Sequence, residues 1–200
     1  MRSRQAFFSH AAKNWDKEYD NPNLRDFLER FVPTFGFSAG QHVLDVGTGT
    51  GILIPFLRKV VGSKGHITAI DYAPGMVGIC KTKYAHLPNI SIMVADAENL
   101  QFPAASFDAV TCFGVLPHLN NKETALNQFC RVLKSKGRLV IAHALSSAEI
   151  RSHHQNAPSV VADDVLPNET EMQESLKQAG FIEIQIVDKP GSYLCTSTKP

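Results

Sequence analysis

The stretch VLDVGTGTG, residues 43–51, decides the fold: an apolar run carrying one aspartate closes on glycines at 47, 49 and 51. An apolar, β-branched run of that length bounded by glycines is a strand followed by a sharp turn. Glycine at every second position leaves the backbone bare and free to take conformations that a side chain would strain. The next residues, ILIPFLRKV (52–60), carry a helical pattern. The bare loop therefore lies at a helix N-terminus, where unpaired backbone N–H groups favour a polar ligand, at the carboxyl edge where open α/β sheets bind theirs.

Outward from this loop, short β-branched runs alternate with longer helical ones, which is the signature of an α/β fold. Strands are expected at 42–46, 66–71, 90–95, 107–113, 137–144, 181–188 and 193–199, several of them apolar on both faces as in a parallel sheet covered on both sides. Helices are expected at Pro22 to Phe35, Ile52 to Val61, Pro74 to Tyr84, Lys122 to Leu133 and Glu169 to Ala179. The N-terminal arm (1–35), with Phe7, Phe8, Trp15 and Tyr19, is expected to be helical, and 146–168, which shows no strong periodicity, to cover part of the surface. A chain of 200 residues suits one domain, 1–200.

Composition narrows the partners. With 20 Lys and Arg against 19 Asp and Glu the net charge is +1, and no basic run marks a nucleic-acid binder. Cys80, Cys112, Cys130 and Cys195 are scattered without metal-finger or disulfide-framework spacing. The first twenty residues have basic residues but no apolar core, and no run approaches the ~20 apolar residues that span a bilayer. A soluble, unprocessed, cytoplasmic protein is the expectation, with its oligomeric state unreadable.

Three acids accompany the loop. Asp71 ends the second strand a score of residues later, where a carboxylate can accept from both hydroxyls of a ribose. Asp96 ends the third, where it can accept from an exocyclic amine such as adenine's. Asp45 sits inside the first strand, an expensive place for an unpaired charge. Together they describe a nucleoside cradle.

On VLDVGTGTG, ITAIDYAPGMV, VADAENLQFPAASFDAVTCFGVLPHL and RVLKSKGRLVIA, the chain resembles the class I S-adenosylmethionine-dependent methyltransferases from about Leu24 to Lys199. Within them it is most similar to the small-molecule branch that includes the ubiquinone and menaquinone methyltransferases. The resemblance implies a Rossmann-like, seven-stranded, mostly parallel sheet with helices on both faces and an antiparallel last strand. It implies S-adenosyl-L-methionine as cofactor, with Gly47, Gly49 and Gly51 under its methionine part and Asp45 placing its amino group. Asp71 would hold the ribose, Met76 would flank the adenine, and Asp96 with the backbone of Ala97 would read the adenine edge. Thr48, Tyr72 and Phe113 complete the implied cofactor-binding set, and the arm 1–35 is expected either to fold over the cofactor as a lid, as in similar methyltransferases, or to pack on the body of the domain, while 146–168 would cover the substrate. The GxGxG pattern departs from the GxGxxG of dinucleotide binders, and CFGVLPHL lacks the motif of DNA amino-methyltransferases. Cys112 lacks the Pro-Cys context of RNA cytosine methyltransferases and is expected to be a buried strand cysteine.

Methyl transfer from a sulfonium demands alignment and exclusion of water rather than an obligatory catalytic side chain. A base is needed only for a protonated acceptor, and histidine suits that task at neutral pH. His118, His143 and His154 are expected to line the acceptor pocket, one of them as base or orienting contact. His143, His153 or His154 with Asp163 or Asp164 are metal-ligand types, but their spacing matches no compact motif, so no metal is expected. The expected activity is methyl transfer to a small-molecule acceptor. A sensor that binds S-adenosylmethionine or S-adenosylhomocysteine without turnover and a nicotinamide-dependent oxidoreductase are the alternatives.

Overall fold

The computed structural model describes residues 4–155 and 160–200. Residues 156–159, within the expected covering segment, and 1–3, within the expected arm, lie outside the described residues. Contacts divide the chain into two compact units, Met1–Asp96 and Ala97–Pro200.

The first unit opens with helices α1 (Arg4–Tyr19) and α2 (Pro22–Phe31). Asn21 caps α2, its side-chain oxygen accepting the Leu24 N–H at 3.0 Å, and Pro22 occupies a first-turn position that lacks no hydrogen bond. The sequence predicts one helix to Phe35; instead the chain tightens at Val32–Phe35 into a 3₁₀ turn, because Pro33 cannot donate to the α-helical ladder. Strand β1 (His42–Val46), helix α3 (Ile54–Val61), strand β2 (His66–Asp71), helix α4 (Pro74–Tyr84) and strand β3 (Ile90–Val94) follow. β1 pairs in parallel with β2 from His42↔His66 to Val46↔Ile70, and β2 with β3 from Ile67↔Ile90 to Asp71↔Val94. Val43, Leu44, Ile67 and Ala69 are fully buried on both faces of these strands, which explains why their sequences run apolar rather than alternating.

The second unit contains β4 (Phe107–Phe113), a 3₁₀ turn (Leu116–His118), α5 (Lys122–Val132), β5 (Leu133–His143), α6 (Ser147–Gln155), α7 (Glu169–Gln178), β6 (Ile182–Lys189) and β7 (Ser192–Thr198). β4 and β5 are parallel, whereas β7 runs antiparallel to both β5 and β6. The strands form a seven-stranded sheet in the order β3-β2-β1-β4-β5-β7-β6, the expected Rossmann-like architecture with an antiparallel last strand. α5 buries Ala125, Leu126, Phe129 and Val132, one face of a helix. α7 starts at a capping box in which Asn168 and Glu171 satisfy each other's backbone N–H at 3.0 and 2.9 Å.

Two expectations need correction. β5 begins at Leu133, not Gly137: Phe107 pairs with Leu133 but Ala109 with Arg138, so the KSKG segment is looped out of register inside the strand. Lys136 takes φ 62° there, and its N–H bonds the Lys199 carbonyl at 2.8 Å. The segment 146–168 is also more regular than its sequence suggests, for α6 spans Ser147–Gln155 and His153 and His154 are helical. Only Ile150 and His154 of α6 are buried, a pair four residues apart that is too sparse to register as periodicity. Tertiary polar contacts hold its N-terminus. Glu149 Oε2 accepts the Ser146 N–H at 2.7 Å and the Gly191 N–H at 2.8 Å, while Asp188 accepts the Ser147 N–H at 3.0 Å.

Phe129 is fully buried, so Phe129→Ala should cost about 3–5 kcal/mol of unfolding free energy, read from urea midpoints. A loss below about 1 kcal/mol would contradict the packing of α5 described above.

Candidate active site

The glycine loop belongs wholly to the first unit, between β1 and α3. Gly47, Gly49 and Gly51 have φ values of 66°, 57° and 91°, all in the left-handed region that side chains resist. Yet two of them are glycine for different reasons. A Cβ on Gly51 would stand 2.6 Å from Tyr84 Cε2 and 2.9 Å from Cys80 Sγ, so the protein itself fills that space. A Cβ on Gly49 would meet only Trp15 Nε1, at 3.9 Å, and its side stays open to a ligand.

Asp71 fixes that geometry. Its Oδ2 accepts the Gly49 N–H at 2.9 Å and its Oδ1 the Ala73 N–H at 2.8 Å, tying the end of β2 to the loop that follows β1. Burial raises its pKa above the usual carboxylate range, and the two backbone hydrogen bonds oppose the rise. Each oxygen retains a second lone-pair direction, so the ribose role is compatible with this bridging. Asp45 is 1 % exposed, and its Oδ2 is buried without a hydrogen-bond partner. Burial, with a smaller contribution from the Asp71 charge, pushes its pKa up to about 7. The Thr48 hydroxyl nearby works against that rise, although Thr48 Oγ1 itself completes no well-formed hydrogen bond. An open glycine beside a buried, unsatisfied carboxylate oxygen fits a cofactor that presents a cationic amino group.

Met76 lies buried in the first turn of α4, Tyr72 half-buried in the turn between β2 and α4, and Asp96 exposed just past β3. The arm, weighed in the sequence as packing or lid, is docked here. Phe8 stacks edge-on against Trp15 and Tyr72 at 6.0 and 6.3 Å, Thr50 Oγ1 donates to Asp16 at 2.5 Å, and Gln5 Nε2 donates to the Tyr72 carbonyl at 2.7 Å. Gly75 is required by this docking, since a Cβ there would stand 2.3 Å from the Ser9 carbonyl oxygen. No sequence signal marked Asp16 as the partner of Thr50.

In the second unit, Ala97 is buried and Phe113, the last residue of β4, half-buried. The three candidate histidines come together within this unit although they stem from the turn after β4, the end of β5 and α6. His118 Nδ1 lies 2.7 Å from Asp164 Oδ2, the His154 Nδ1–H donates to the Asp164 carbonyl, and the His118 and His154 rings are 5.0 Å apart. His143 is buried with Nε2 unpartnered, and its ring stands 6.3 Å from that of Tyr193. Burial first, then the neighbouring His118 and His154, pushes its pKa down to about 3, so it is neutral at physiological pH. His153 is exposed. Asp164 was legible only as a metal-ligand type, and nothing in ADDVLP distinguishes buried Asp164 from exposed Asp163. Among the described residues, no three His, Cys, Asp or Glu side chains are arranged to hold a metal ion. Cys112 is buried in β4, as expected.

The family description "Methyltransferase domain" matches residues 44–141, from β1 to the centre of β5. The chain belongs to the class I S-adenosylmethionine-dependent methyltransferases. It is similar to the ubiquinone/menaquinone biosynthesis C-methyltransferase of Vibrio cholerae, 34% identical over 147 residues that make up 68% of this chain and 55% of that protein. It is also similar to the demethylmenaquinone methyltransferase of Staphylococcus aureus, 34% identical over 135 residues, 64% of this chain and 56% of that one. The chain thus spans about half the length of the curated relatives it matches. In fold it is similar to a methyltransferase from Aquifex aeolicus (TM-score 0.77, 24% identity, 96% of this chain and 98% of that one). A putative methyltransferase from Haloferax volcanii, solved with the Trm112 activator, shares the fold too (TM-score 0.78, 19% identity, 100% and 99% covered).

Asp45 gives a pH-dependent prediction. Its folded pKa of about 7 lies above the ordinary 3.8, so its carboxyl favours the fold at acid pH and that contribution is lost as pH rises through about 7. Relative to wild type, ligand-free Asp45→Asn should therefore gain stability between pH 4 and pH 8, by at least about 1 kcal/mol in urea titrations. A difference that stays constant across that range would contradict the buried charge.

Proposed function

We propose that the protein is an enzyme transferring a methyl group from S-adenosyl-L-methionine to a small-molecule acceptor by in-line displacement, in a cytoplasmic setting. The observation that carries this reading is the first-unit cradle: open Gly49, held by the Asp71 bridge, beside the buried, unsatisfied oxygen of Asp45. When bound, the cofactor supplies a methyl group activated by a positively charged sulfur. Bare backbone at Gly47 and Gly49 accommodates its amino-acid portion, and the Asp45 carboxylate receives its ammonium group. Asp71 keeps lone pairs for ribose hydroxyls while holding the loop, and Met76 and Tyr72 supply apolar surface for the adenine. Asp96 serves its polar edge, and Thr48 completes the first-unit lining.

Aligned groups in a dry site account for most of the acceleration such a displacement needs. The docked arm, with Trp15 close to Gly49, contributes to that dryness. His118, His143 and His154 are the acceptor contacts in this reading, supported by the convergence of His118 and His154 on Asp164 and by the burial of His143. The named relatives act in quinone biosynthesis, which supports a small acceptor; the near-zero net charge and the lack of a basic run favour it over a nucleic acid. No helix among the described residues is long and apolar enough to cross a membrane.

Thermal unfolding tests the reading against its nicotinamide alternative. S-adenosylhomocysteine at about 100 times its Kd should stabilise the protein by ~2.7 kcal/mol, with a matching rise in Tm, and NADH should not. Stabilisation by NADH alone would overturn the reading. Binding of S-adenosylhomocysteine with no methyl transfer to phenol, amine, thiol or quinol acceptors would leave a non-catalytic sensor.

A further inference from the structure

We infer that the second unit carries a proton-accepting site for a hydroxyl-bearing acceptor, in which Asp164 positions His118 as the base and the unpartnered Nε2 of buried His143 makes one hydrogen bond to the same acceptor. The inference rests on the methyltransferase reading and deepens it by naming the acceptor class.

The geometry fixes proton positions. A backbone carbonyl only accepts, so the contact between His154 Nδ1 and the Asp164 carbonyl places a proton on that Nδ1. A carboxylate likewise accepts, so Asp164 Oδ2 at 2.7 Å places a proton on His118 Nδ1. In a neutral imidazole with Nδ1 protonated, Nε2 is the basic nitrogen. One residue thus orients two histidines, through its side chain and through its backbone. Asp164 is 5 % exposed, so its negative charge acts at short range in poorly solvated surroundings and offsets the charge of an imidazolium formed at His118.

His143 adds a second, independent pointer to a ligand. It is 7 % exposed and its Nε2 has no partner, an arrangement that costs free energy unless something supplies the missing hydrogen bond. The rings contact Asp164, one another and exposed His153, with the Tyr193 phenol beside His143. These contacts bring no lysine or arginine against the rings among the described residues, and Lys122 nearby is turned to the Leu119 carbonyl at 3.2 Å, which disfavours a phosphate- or carboxylate-bearing acceptor. The one carboxylate is engaged by His118, which disfavours a cationic amine. A neutral hydroxyl of phenolic type fits both conditions. Its O–H bond breaks with the electron pair left on oxygen, the proton forms an N–H bond at His118 Nε2, and solvent later takes that proton. The oxygen, or the ring it activates, is then the nucleophile.

Histidine ¹⁵N labelling with long-range ¹H–¹⁵N NMR reads the tautomers directly, and phenol, with anisole as its methylated control, probes the site. His118 and His154 should be Nδ1–H tautomers, and His143 should remain neutral at pH 5. Phenol should shift His118 and His143 resonances, with anisole binding at least tenfold more weakly. Asp164→Asn should mix the His118 tautomers and weaken phenol binding at least tenfold, with unchanged S-adenosylhomocysteine affinity showing that the fold survives. Should that variant fail to fold, the wild-type tautomers and the phenol–anisole contrast still decide. An Nε2–H tautomer at His118, equal binding of phenol and anisole, or unaltered phenol binding by Asp164→Asn would overturn the inference. Absence of S-adenosylhomocysteine binding by wild-type protein would instead overturn the methyltransferase reading, whatever the histidines show.

Discussion

The first unit depends on one carboxylate gripping two backbone amides. Asp71 holds Gly49 and Ala73 at once, so the turn leaving β1 and the turn leaving β2 cannot move independently. A loop of left-handed glycines is entropically costly to order, and charge-assisted hydrogen bonds in a buried setting are among the stronger local contacts that can offset that cost. Gly51, packed against Tyr84 and Cys80, anchors the far end of the loop, which leaves Gly49 as the rung with open space beside it. The opening pattern of alternate glycines thus has two causes, one internal packing and one clearance for a ligand.

Electrostatics divide the two units. In the first, buried carboxylates rise in pKa, Asp45 to about 7, because the fold withholds water without supplying full hydrogen bonding. Such groups are retained against stability, and they cluster where function demands them. In the second, burial drives His143 the other way, to about 3, and the Asp164 carboxylate stands beside His118. One unit therefore offers negative charge suited to a cationic cofactor, and the other offers a buried, neutral imidazole at His143 suited to an uncharged acceptor.

Much of this was legible in the sequence because it depends on local pattern. β1, β2, β4 and α4 have the boundaries that their apolar runs and flanking Gly and Pro dictate, and the acids at strand ends follow from chain position. The rest depends on distant partners. α6 shows only Ile150 and His154 inward and is secured by Glu149 and Asp188 contacts spanning about forty residues, so no window of sequence reveals it. The looped register of β5 depends on the Lys199 carbonyl at the other end of the unit. Asp164 illustrates the same limit: its residue type was visible, its pairing with His118 and His154 was not.

The claim that Asp71 builds the cradle is tested most directly by calorimetric titration of S-adenosylhomocysteine into wild type and Asp71→Asn. The asparagine amide presents a donor where one backbone N–H needs an acceptor, so affinity should fall tenfold or more, about 1.4 kcal/mol, in a protein that still unfolds cooperatively. Affinity within twofold of wild type in a folded variant would contradict the account.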